Sequence, residues 1–524
     1  MTAIQTLKSL SLALAIGTVL IAPQSAIAKT STVMNVTQVF GTIDPAKITD
    51  YTQYLAAVNL YDGLTTVDST GKIIPELAES WNVSGDNLTY TFHLRKDASF
   101  QDGSPVEAKD VVYTVQRLLA INKGPAYLFA SLINPDNVKA TDAHTVSITL
   151  NKVYAPFLTT TPLLLVINED AVKAASKQRW GEDVVGEKSM GAGPYVLSSW
   201  QRGSEMVISR YEKYYAGWPT NPIDEVRFVQ TNDEATVKAL ATSGQLGISS
   251  TTQANETYDA IAKLDGYVVT TTPTTTGFYL KLNTKAYPTD DIHVRRALQY
   301  ATDYKTIQTQ IMTGDTLAGP LAPVFKDAYL DSLKVPEFDL EKAKAELAQS
   351  KYAGKPIKLT LTYVAGLSFE EDIALLMQSN LQQIGVDVDI KPEPWNRITE
   401  LAAKPETTPA ATEVFYGPTY PSPDSVFYVQ YHSKSAGTWA SMEWLQDAEV
   451  DKLIDEARST TDSSKQNDLY KQIQQAVTDR APDVNMLLKV QKVAFSKCIA
   501  GYQFVPMQSW DYNFHSLTWS CPAR

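Results

Sequence analysis

Regular alternation of apolar and polar residues predicts the first elements of the chain. Every second residue is apolar in residues 88–94, which predicts a half-buried β-strand. Apolar residues then recur at helical spacing from Val111 to Leu119 and predict an amphipathic helix. Ser104 followed by Pro105 is typical of the first residues of a helix, so we expect the helix to begin there.

The second half of the chain shows the same rhythm of helix and strand. Residues 368–371, Ser-Phe-Glu-Glu, fit a capping box, and the helix dipole favours acids in that first turn. Gly385 is predicted to end the helix, and the alternating residues 386–390 are predicted to form the next strand. A helix closed by glycine and followed at once by a strand is typical of an α/β fold, which is the fold class we expect.

The N-terminus has the pattern of an export signal. One charged residue, Lys8, precedes a short and mostly apolar run, and residues 26–28, Ala-Ile-Ala, fit a cleavage site. We therefore expect residues 1–28 to be a signal peptide that is cleaved after Ala28, and the mature protein to be exported to the periplasm. The alternative is a buried N-terminal helix.

Composition and charge narrow the classes of function. The chain has 524 residues, 44% hydrophobic and 20% charged, which is typical of a globular protein with two or three domains. Its formal net charge of −12 argues against nucleic-acid binding, which needs a basic surface. The sequence contains no serine-hydrolase elbow, phosphate-binding loop or zinc-protease motif, so we expect neither catalysis nor a cofactor.

The two cysteines, Cys498 and Cys521, lie close to the C-terminus. An exported protein with an even number of cysteines usually pairs them, so a disulfide bond is expected. Two free buried thiols are the alternative. A disulfide bond at this place would fasten the last strands to the domain to which they return.

Residues 59–119 carry a longer signature. They contain NLYDGL, then ELAESW, then LTYTFHLRKDASFQDGSPVEAKDVVY, and they closely resemble the bacterial dipeptide- and oligopeptide-binding proteins, the extracellular solute-binding proteins of family 5. GAGPYVL at residues 191–197 and VRRALQYATDYKTI at residues 294–307 resemble two further segments of that family. The resemblance implies a bilobal periplasmic-binding-protein fold of the large three-subdomain type. It also implies a monomer that captures a small-molecule ligand for the permease subunits of an ABC importer.

The resemblance also implies how the chain is divided. We expect lobe I at residues 29–60, 190–275 and 496–524, a smaller inserted domain at residues 61–189, and lobe II at residues 276–495. The polar stretch TTPTTT, residues 271–276, has little capacity to pack and is predicted to form the first crossing between the lobes. The strand region at residues 485–495 is predicted to lead into the second crossing.

Candidate ligand-binding residues lie in separate parts of the sequence. A strand-to-loop corner near the N-terminus contributes Val39 and Phe40, although Phe40 fits a core position equally well. Trp395 and Arg397 follow a proline-rich segment, and Trp510 lies in an aromatic C-terminal segment. We expect these side chains to line the cleft between the lobes.

The loop FYGPTYPSPD, residues 415–424, is predicted to decide ligand choice. Tyr416 and Tyr420 would face either a ligand or the protein core. The resembled family carries in this loop an aspartate that holds the α-ammonium group of a peptide, whereas here Thr419 stands at that place and Asp424 follows later. A neutral threonine cannot supply that charge-assisted bond. The family implies a peptide or peptide-like ligand, and the departure leaves an oligosaccharide, an opine or a metal chelate as alternatives, with a secreted hydrolase least favoured.

Overall fold

The computed structural model describes residues 29–37, 40–49, 51–507 and 509–522. The predicted signal peptide with its cleavage site at Ala28, and the candidate residue Val39, lie outside the described residues. In the described part of the chain, no helix combines the length and the apolar character that crossing a membrane requires.

Strands and helices alternate along the chain. The strands are β1 (Ser31–Val36), β2 (Thr65–Val67), β3 (Ile73–Pro75), β4 (Ala78–Val83), β5 (Thr89–Leu94), β6 (Ile133–Asp142), β7 (Thr145–Leu150), β8 (Tyr195–Gln201), β9 (Glu205–Arg210), β10 (Glu225–Gln230), β11 (Leu246–Ile248), β12 (Tyr267–Leu282), β13 (Gly314–Asp315), β14 (Ile357–Val364), β15 (Val386–Glu393), β16 (Ala411–Tyr416), β17 (Asp483–Ser496), β18 (Ile499–Ala500) and β19 (Thr518–Trp519). The α-helices are α1 (Tyr51–Leu60), α2 (Ala108–Ile121), α3 (Ala126–Phe129), α4 (Phe157–Thr160), α5 (Glu169–Ala175), α6 (Glu234–Thr242), α7 (Asn255–Ala262), α8 (Ile292–Tyr300), α9 (Tyr304–Thr306), α10 (Leu340–Leu347), α11 (Ser368–Gln382), α12 (Trp395–Leu401), α13 (Pro423–Tyr431), α14 (Ala448–Ser459) and α15 (Ser463–Arg480).

One sheet of 11 strands runs through the molecule. Its order is β15-β14-β16-β12-β17-β11-β1-β10-β9-β8, and β13 pairs with β17. A first hydrophobic core contains residues of β1, β5 and β10 together with C-terminal residues such as Phe514. A second core contains residues between Phe278 and Leu487, including those of β14 and β16. The long antiparallel strands β12 and β17 therefore connect two separately packed halves, and the predicted α/β class is confirmed.

A separate sheet of four strands, in the order β4-β5-β7-β6, lies in the first half of the chain. The strand predicted at residues 88–94 is β5, in which every second residue is buried, so the alternation prediction is confirmed. The next helix, α2, also lies where it was predicted, and its residues contact β6.

The predicted start of α2 is wrong, because the helix begins at Ala108 and not at Pro105. Ser104 instead donates its hydroxyl to Asp102 within a turn. Glu107 occupies the N-cap position and forms a capping box with Asp110, whose carboxylate accepts the Glu107 N–H at 2.9 Å. The N-cap signal of the helix, Glu107, thus lies two residues after the Ser-Pro pair.

The βαβ unit predicted in the second half is present. β14 pairs in parallel with β15, and α11 connects the two strands. The predicted capping box is wrong, because Leu367 occupies the N-cap position of α11 and no side chain caps the helix there. The carboxylate of Glu370 turns back instead and accepts the backbone N–H of Val364 at 2.7 Å.

The C-terminal segment returns to the first half of the molecule. Cys498 and Cys521 form a disulfide bond, with their Cα atoms 4.9 Å apart. β18 and β19 pair beside it, and the Trp519 N–H donates to the carbonyl oxygen of Asn221 at 2.7 Å. The last residues are therefore held against a loop that lies near the middle of the chain.

Candidate functional site

A cavity of about 180 Å³ lies between the two hydrophobic cores. Met34 and Leu55 of the first side face Leu367 and Val414 of the second side across it. Parallel strands β1 and β11 end at this cavity, since residues just beyond each strand line it. The carboxyl ends of neighbouring parallel strands are the usual place for a ligand in an open α/β sheet.

The crossing strands β12 and β17 also line the cavity. Their pairing is irregular between Pro273 and Gly277, because proline has no N–H to donate and the chain bulges there. Residues 275–276 thereby face the cavity, and Thr274 donates its hydroxyl to the carbonyl oxygen of Lys489 at 2.7 Å. The polar stretch predicted as a crossing thus lies within β12. Its residue Thr274 holds the backbone of Lys489, whose side chain lines the cavity.

Three buried charged residues line the cavity: Glu370, Lys489 and Asp511 are 1%, 7% and 6% exposed. The Lys489 ammonium group donates to the Thr251 hydroxyl at 2.8 Å, and the Asp511 carboxylate accepts the Tyr502 hydroxyl at 2.7 Å. Within the described part of the chain, none of the three forms a salt bridge. The cavity therefore presents buried charges of both signs that no internal ion pair neutralises.

Burial moves the pKa of each of these groups toward neutrality. Burial raises the pKa of Glu370 to about 8, partly opposed by the Val364 N–H. Burial also raises the pKa of Asp511 to about 7, and the Tyr502 hydroxyl opposes that rise. Burial lowers the pKa of Lys489 to about 7, against the attraction of Asp511 and Glu370. A ligand with complementary charges would stabilise the ionised form of each group.

Two buried hydrogen-bond donors in the cavity wall lack acceptors among the described residues. They are the side-chain Nδ2 of Asn35 and the indole Nε1 of Trp395. The Asn35 amide is oriented by the Ser250 N–H, which donates to its Oδ1 at 2.6 Å. A buried donor without a partner costs about 1–3 kcal/mol. The wall is therefore complementary to a ligand that carries acceptor oxygens.

Trp395 and Arg397 lie on the same helix, α12, but point to different environments. Trp395 lines the cavity and packs edge-on against Trp439, with ring centroids 5.2 Å apart. The Arg397 side chain is exposed and forms a 3.1 Å salt bridge with Glu400. Of these two predicted residues, the geometry brings Trp395 to the cavity.

Two further predicted aromatic residues lie in the first hydrophobic core. Phe40 is 4% exposed and packs edge-on against Phe228, with ring centroids 5.3 Å apart. Trp510 packs against Tyr54 at a centroid distance of 5.4 Å. Phe40 therefore occupies a core position, which was one of the two alternatives that the sequence allowed for it.

The carboxylate of the predicted loop is fully buried and has partners within the protein. Asp424 accepts hydrogen bonds from the hydroxyls of Tyr154 at 2.7 Å and Tyr420 at 2.8 Å. The guanidinium Nε of Arg458 lies 3.4 Å from its other oxygen. Asp424 and Tyr420 therefore brace the protein at the N-terminus of α13, outside the described lining of the cavity.

Ser425 holds the other two predicted loop residues. The Tyr416 hydroxyl donates to the Ser425 carbonyl oxygen at 2.6 Å, and the Thr419 N–H donates to the Ser425 hydroxyl at 2.8 Å. The described lining of the cavity includes Gly417 and Pro418 of this loop but neither Tyr416 nor Thr419. A role for these two residues in ligand binding stays a prediction.

Sequence reasoning missed the charged residues of the cavity. In the sequence, Glu370 fits a helix cap, and Asp511 lies between the aromatic residues Trp510 and Tyr512. A usable signal was the apolar run MLLKVQKVAF, residues 486–495, which Lys489, Gln491 and Lys492 interrupt. Polar residues in a strand that was predicted to lead into a crossing are candidates for the ligand cleft.

Comparison with known proteins places this chain in a family. Residues 72–438 match the family described as bacterial extracellular solute-binding proteins, family 5 Middle. The probable D,D-dipeptide-binding periplasmic protein DdpA of Escherichia coli (strain K12) is 28% identical over 490 residues, which cover 91% of this chain and 92% of that protein.

Solved structures share the fold. The periplasmic binding protein DppA from Helicobacter pylori, in complex with peptide STSA, has a TM-score of 0.85 at 22% identity and covers 94% of this chain and 99% of its own. The oligopeptide-binding protein AppA from Bacillus subtilis, in complex with a nonapeptide, has a TM-score of 0.84 at 22% identity with the same coverage. The expected periplasmic-binding-protein fold is confirmed. The chain belongs to the bacterial extracellular solute-binding proteins of family 5, and it is a solute-binding component of an ABC importer.

Proposed function

We propose that this protein captures short peptides with free termini in the periplasm and delivers them to the permease subunits of an ABC importer. The observation that carries the proposal is the cavity in which Glu370 and Asp511 stand with Lys489, all buried and without salt bridges to described residues. A free peptide has an ammonium group at one end and a carboxylate at the other. It therefore complements such a cavity at both ends.

The relatives support this ligand class. DdpA of Escherichia coli is described as a probable D,D-dipeptide-binding protein, and DppA of Helicobacter pylori was solved with a peptide. Peptide carbonyl oxygens would also satisfy the donors of Asn35 and Trp395, which lack acceptors in the described chain. A neutral oligosaccharide could satisfy these donors with its oxygen atoms, but it would bring no charge to the buried acids and the lysine.

The two acids of the cavity matter because Thr419 stands where the resembled family has an aspartate that binds the peptide ammonium group. A threonine at that place cannot hold an ammonium group, and the nearby Asp424 is engaged by Tyr154 and Tyr420. Glu370 and Asp511 supply carboxylates in the cavity itself. We propose that they receive the peptide ammonium group in place of a loop aspartate.

The lobes predicted from the sequence would close around the ligand by bending at β12 and β17. Ligand contacts to both sides of the cavity favour the closed form, because they form together only when the sides approach. We expect the peptide to be released unchanged to the permease subunits.

Isothermal titration calorimetry tests the proposal. The ligands are alanine peptides of two to five residues in L and D forms, the same peptides acetylated or amidated, an opine and an oligosaccharide. We expect saturable binding of at least one free peptide and its recovery unchanged. Binding of the opine or the oligosaccharide with no binding of any peptide would contradict the proposal.

A further inference from the structure

We infer that Lys489 binds the carboxylate of the solute and makes the protein select solutes that carry a free carboxylate. The inference rests on the proposed function and names the residue that recognises one end of the peptide. It is carried by the position of the lysine in the cavity wall and by the absence of a salt bridge between it and any described residue.

Lys489 is held in place by its backbone and leaves its ammonium group at the cavity. β17 pairs with β13 through Gly314 at this residue, and Thr274 bonds its carbonyl oxygen. The ammonium group donates to the Thr251 hydroxyl and lies 5.0 Å from the ring centroid of Phe415. Hydroxyl and ring contacts orient the cation, but they do not neutralise it.

Other buried cations of this protein have stronger partners than Lys489 has. Four further arginine or lysine side chains are buried among the described residues. Their partners are Asp44 at 2.6 Å for Arg117, Glu443 at 3.4 Å for Lys281, Asp424 at 3.4 Å for Arg458, and the Thr289 carbonyl oxygen at 2.8 Å for Arg295. Among the described residues, the buried cation that lines the cavity has one hydroxyl and one aromatic ring as partners and no salt bridge. This is the arrangement expected when the ligand supplies the anion.

The surroundings of Lys489 fit a carboxylate rather than another acceptor. Asn35 and Trp395 present two more donors to the same cavity, so several acceptor oxygens can be bound together. Glu370 and Asp511 form no salt bridge with the lysine, so an ammonium group of the ligand would give these acids the cationic partner that they lack among the described residues. The ligand would thus lie with its carboxylate at Lys489 and its cationic end at the acids.

Binding of a carboxylate at Lys489 should change the number of protons bound to the protein. The charged groups that face the lysine are Asp511 and Glu370, and burial lowers its pKa to about 7 against their attraction. A ligand carboxylate would raise that pKa again, so the lysine takes up protons at pH 8. A peptide amide brings the same ammonium group but no carboxylate, so the difference between acid and amide isolates the lysine.

The test compares an alanine peptide with its C-terminal amide by calorimetry on the wild-type protein, Lys489→Met and Lys492→Met. Lys492 is the control, since it lies on the same strand, is partly exposed and bonds Asn255 at 3.1 Å. We expect wild type and Lys492→Met to bind the acid about a hundredfold more tightly than the amide. In Lys489→Met the ratio should fall to about one.

Proton counting on the wild-type protein keeps the test decisive if Lys489→Met does not fold. Titrations at pH 8 in two buffers with different ionisation enthalpies should show more proton uptake with the acid than with the amide. Equal uptake, or an unchanged ratio of affinities in Lys489→Met, overturns the role of Lys489. Absence of binding by every peptide overturns the proposed function instead.

Discussion

The hydroxyl of Tyr154 donates a 2.7 Å hydrogen bond to the carboxylate of Asp424, a residue 270 positions away in the chain. Both side chains are buried, and the Arg458 guanidinium lies 4.7 Å from the centroid of the Tyr154 ring. The Ala155 N–H also donates to the Arg458 carbonyl oxygen at 2.8 Å. We call these contacts of Tyr154 and Ala155 with Asp424 and Arg458 the clamp. The clamp joins the segment predicted as the inserted domain to the segment that follows the first crossing strand.

Removing the Tyr154 hydroxyl should weaken the clamp. Tyr154→Phe is expected to lower the free energy of unfolding by about 1.5–3 kcal/mol, because the hydrogen bond goes to a charged and buried acceptor. Tyr113→Phe is the control, since its hydroxyl donates to a backbone carbonyl oxygen, that of Arg179, at 3.0 Å. Urea unfolding measures both, and equal effects of the two changes would argue against the clamp.

The acids of the cavity should control recognition of the peptide ammonium group. Glu370→Gln and Asp511→Asn are expected to weaken binding of a free peptide about tenfold or more, with little effect on the N-acetylated peptide. The exposed neighbour Glu371→Gln should leave both affinities unchanged, as a matched control on the same helix. If calorimetry showed that Asp424→Asn alone abolished recognition of the ammonium group, the prediction would be contradicted. Ammonium binding would then belong to the loop at residues 415–424.

Glu370 should also make the ligand-free protein less stable at high pH. Burial raises its pKa from an ordinary value of 4.5 to about 8, so the folded state binds more protons than the unfolded state between these values. Stability therefore falls as the pH rises from about 4.5 to about 8. Glu370→Gln should remove this part of the pH dependence, as measured by urea unfolding at pH 5 and pH 8. An identical pH dependence in Glu370→Gln and wild type would show that the group is not buried as described.

The disulfide bond should stabilise the protein without affecting ligand choice. It closes a separation of 23 residues, so Cys498→Ser combined with Cys521→Ser is expected to cost about 3 kcal/mol of folding free energy. Neither cysteine lies in the described lining of the cavity. Unfolding curves and peptide titrations of the double variant check the two parts, and a changed preference among peptides would contradict the second.

Local pattern was sufficient to predict the α/β class, β5 and the βαβ unit around α11, because alternation and glycine stops act within a few residues. The signature in residues 59–119 was sufficient for the family. The ligand cavity was not predictable in the same way, since its residues come from distant segments. Glu370 fits a helix cap in the sequence, and Tyr154, whose hydroxyl bonds the buried carboxylate of Asp424, is far away in the sequence.

A crystal structure of the protein with a bound alanine peptide tests directly whether Lys489 and the two cavity acids hold the two ends of the ligand. The predicted result places a carboxylate oxygen of the peptide about 3 Å from the Lys489 ammonium nitrogen and the peptide ammonium group beside Glu370 or Asp511. A peptide that lies outside this cavity, or whose ammonium group is held by Asp424, would contradict it.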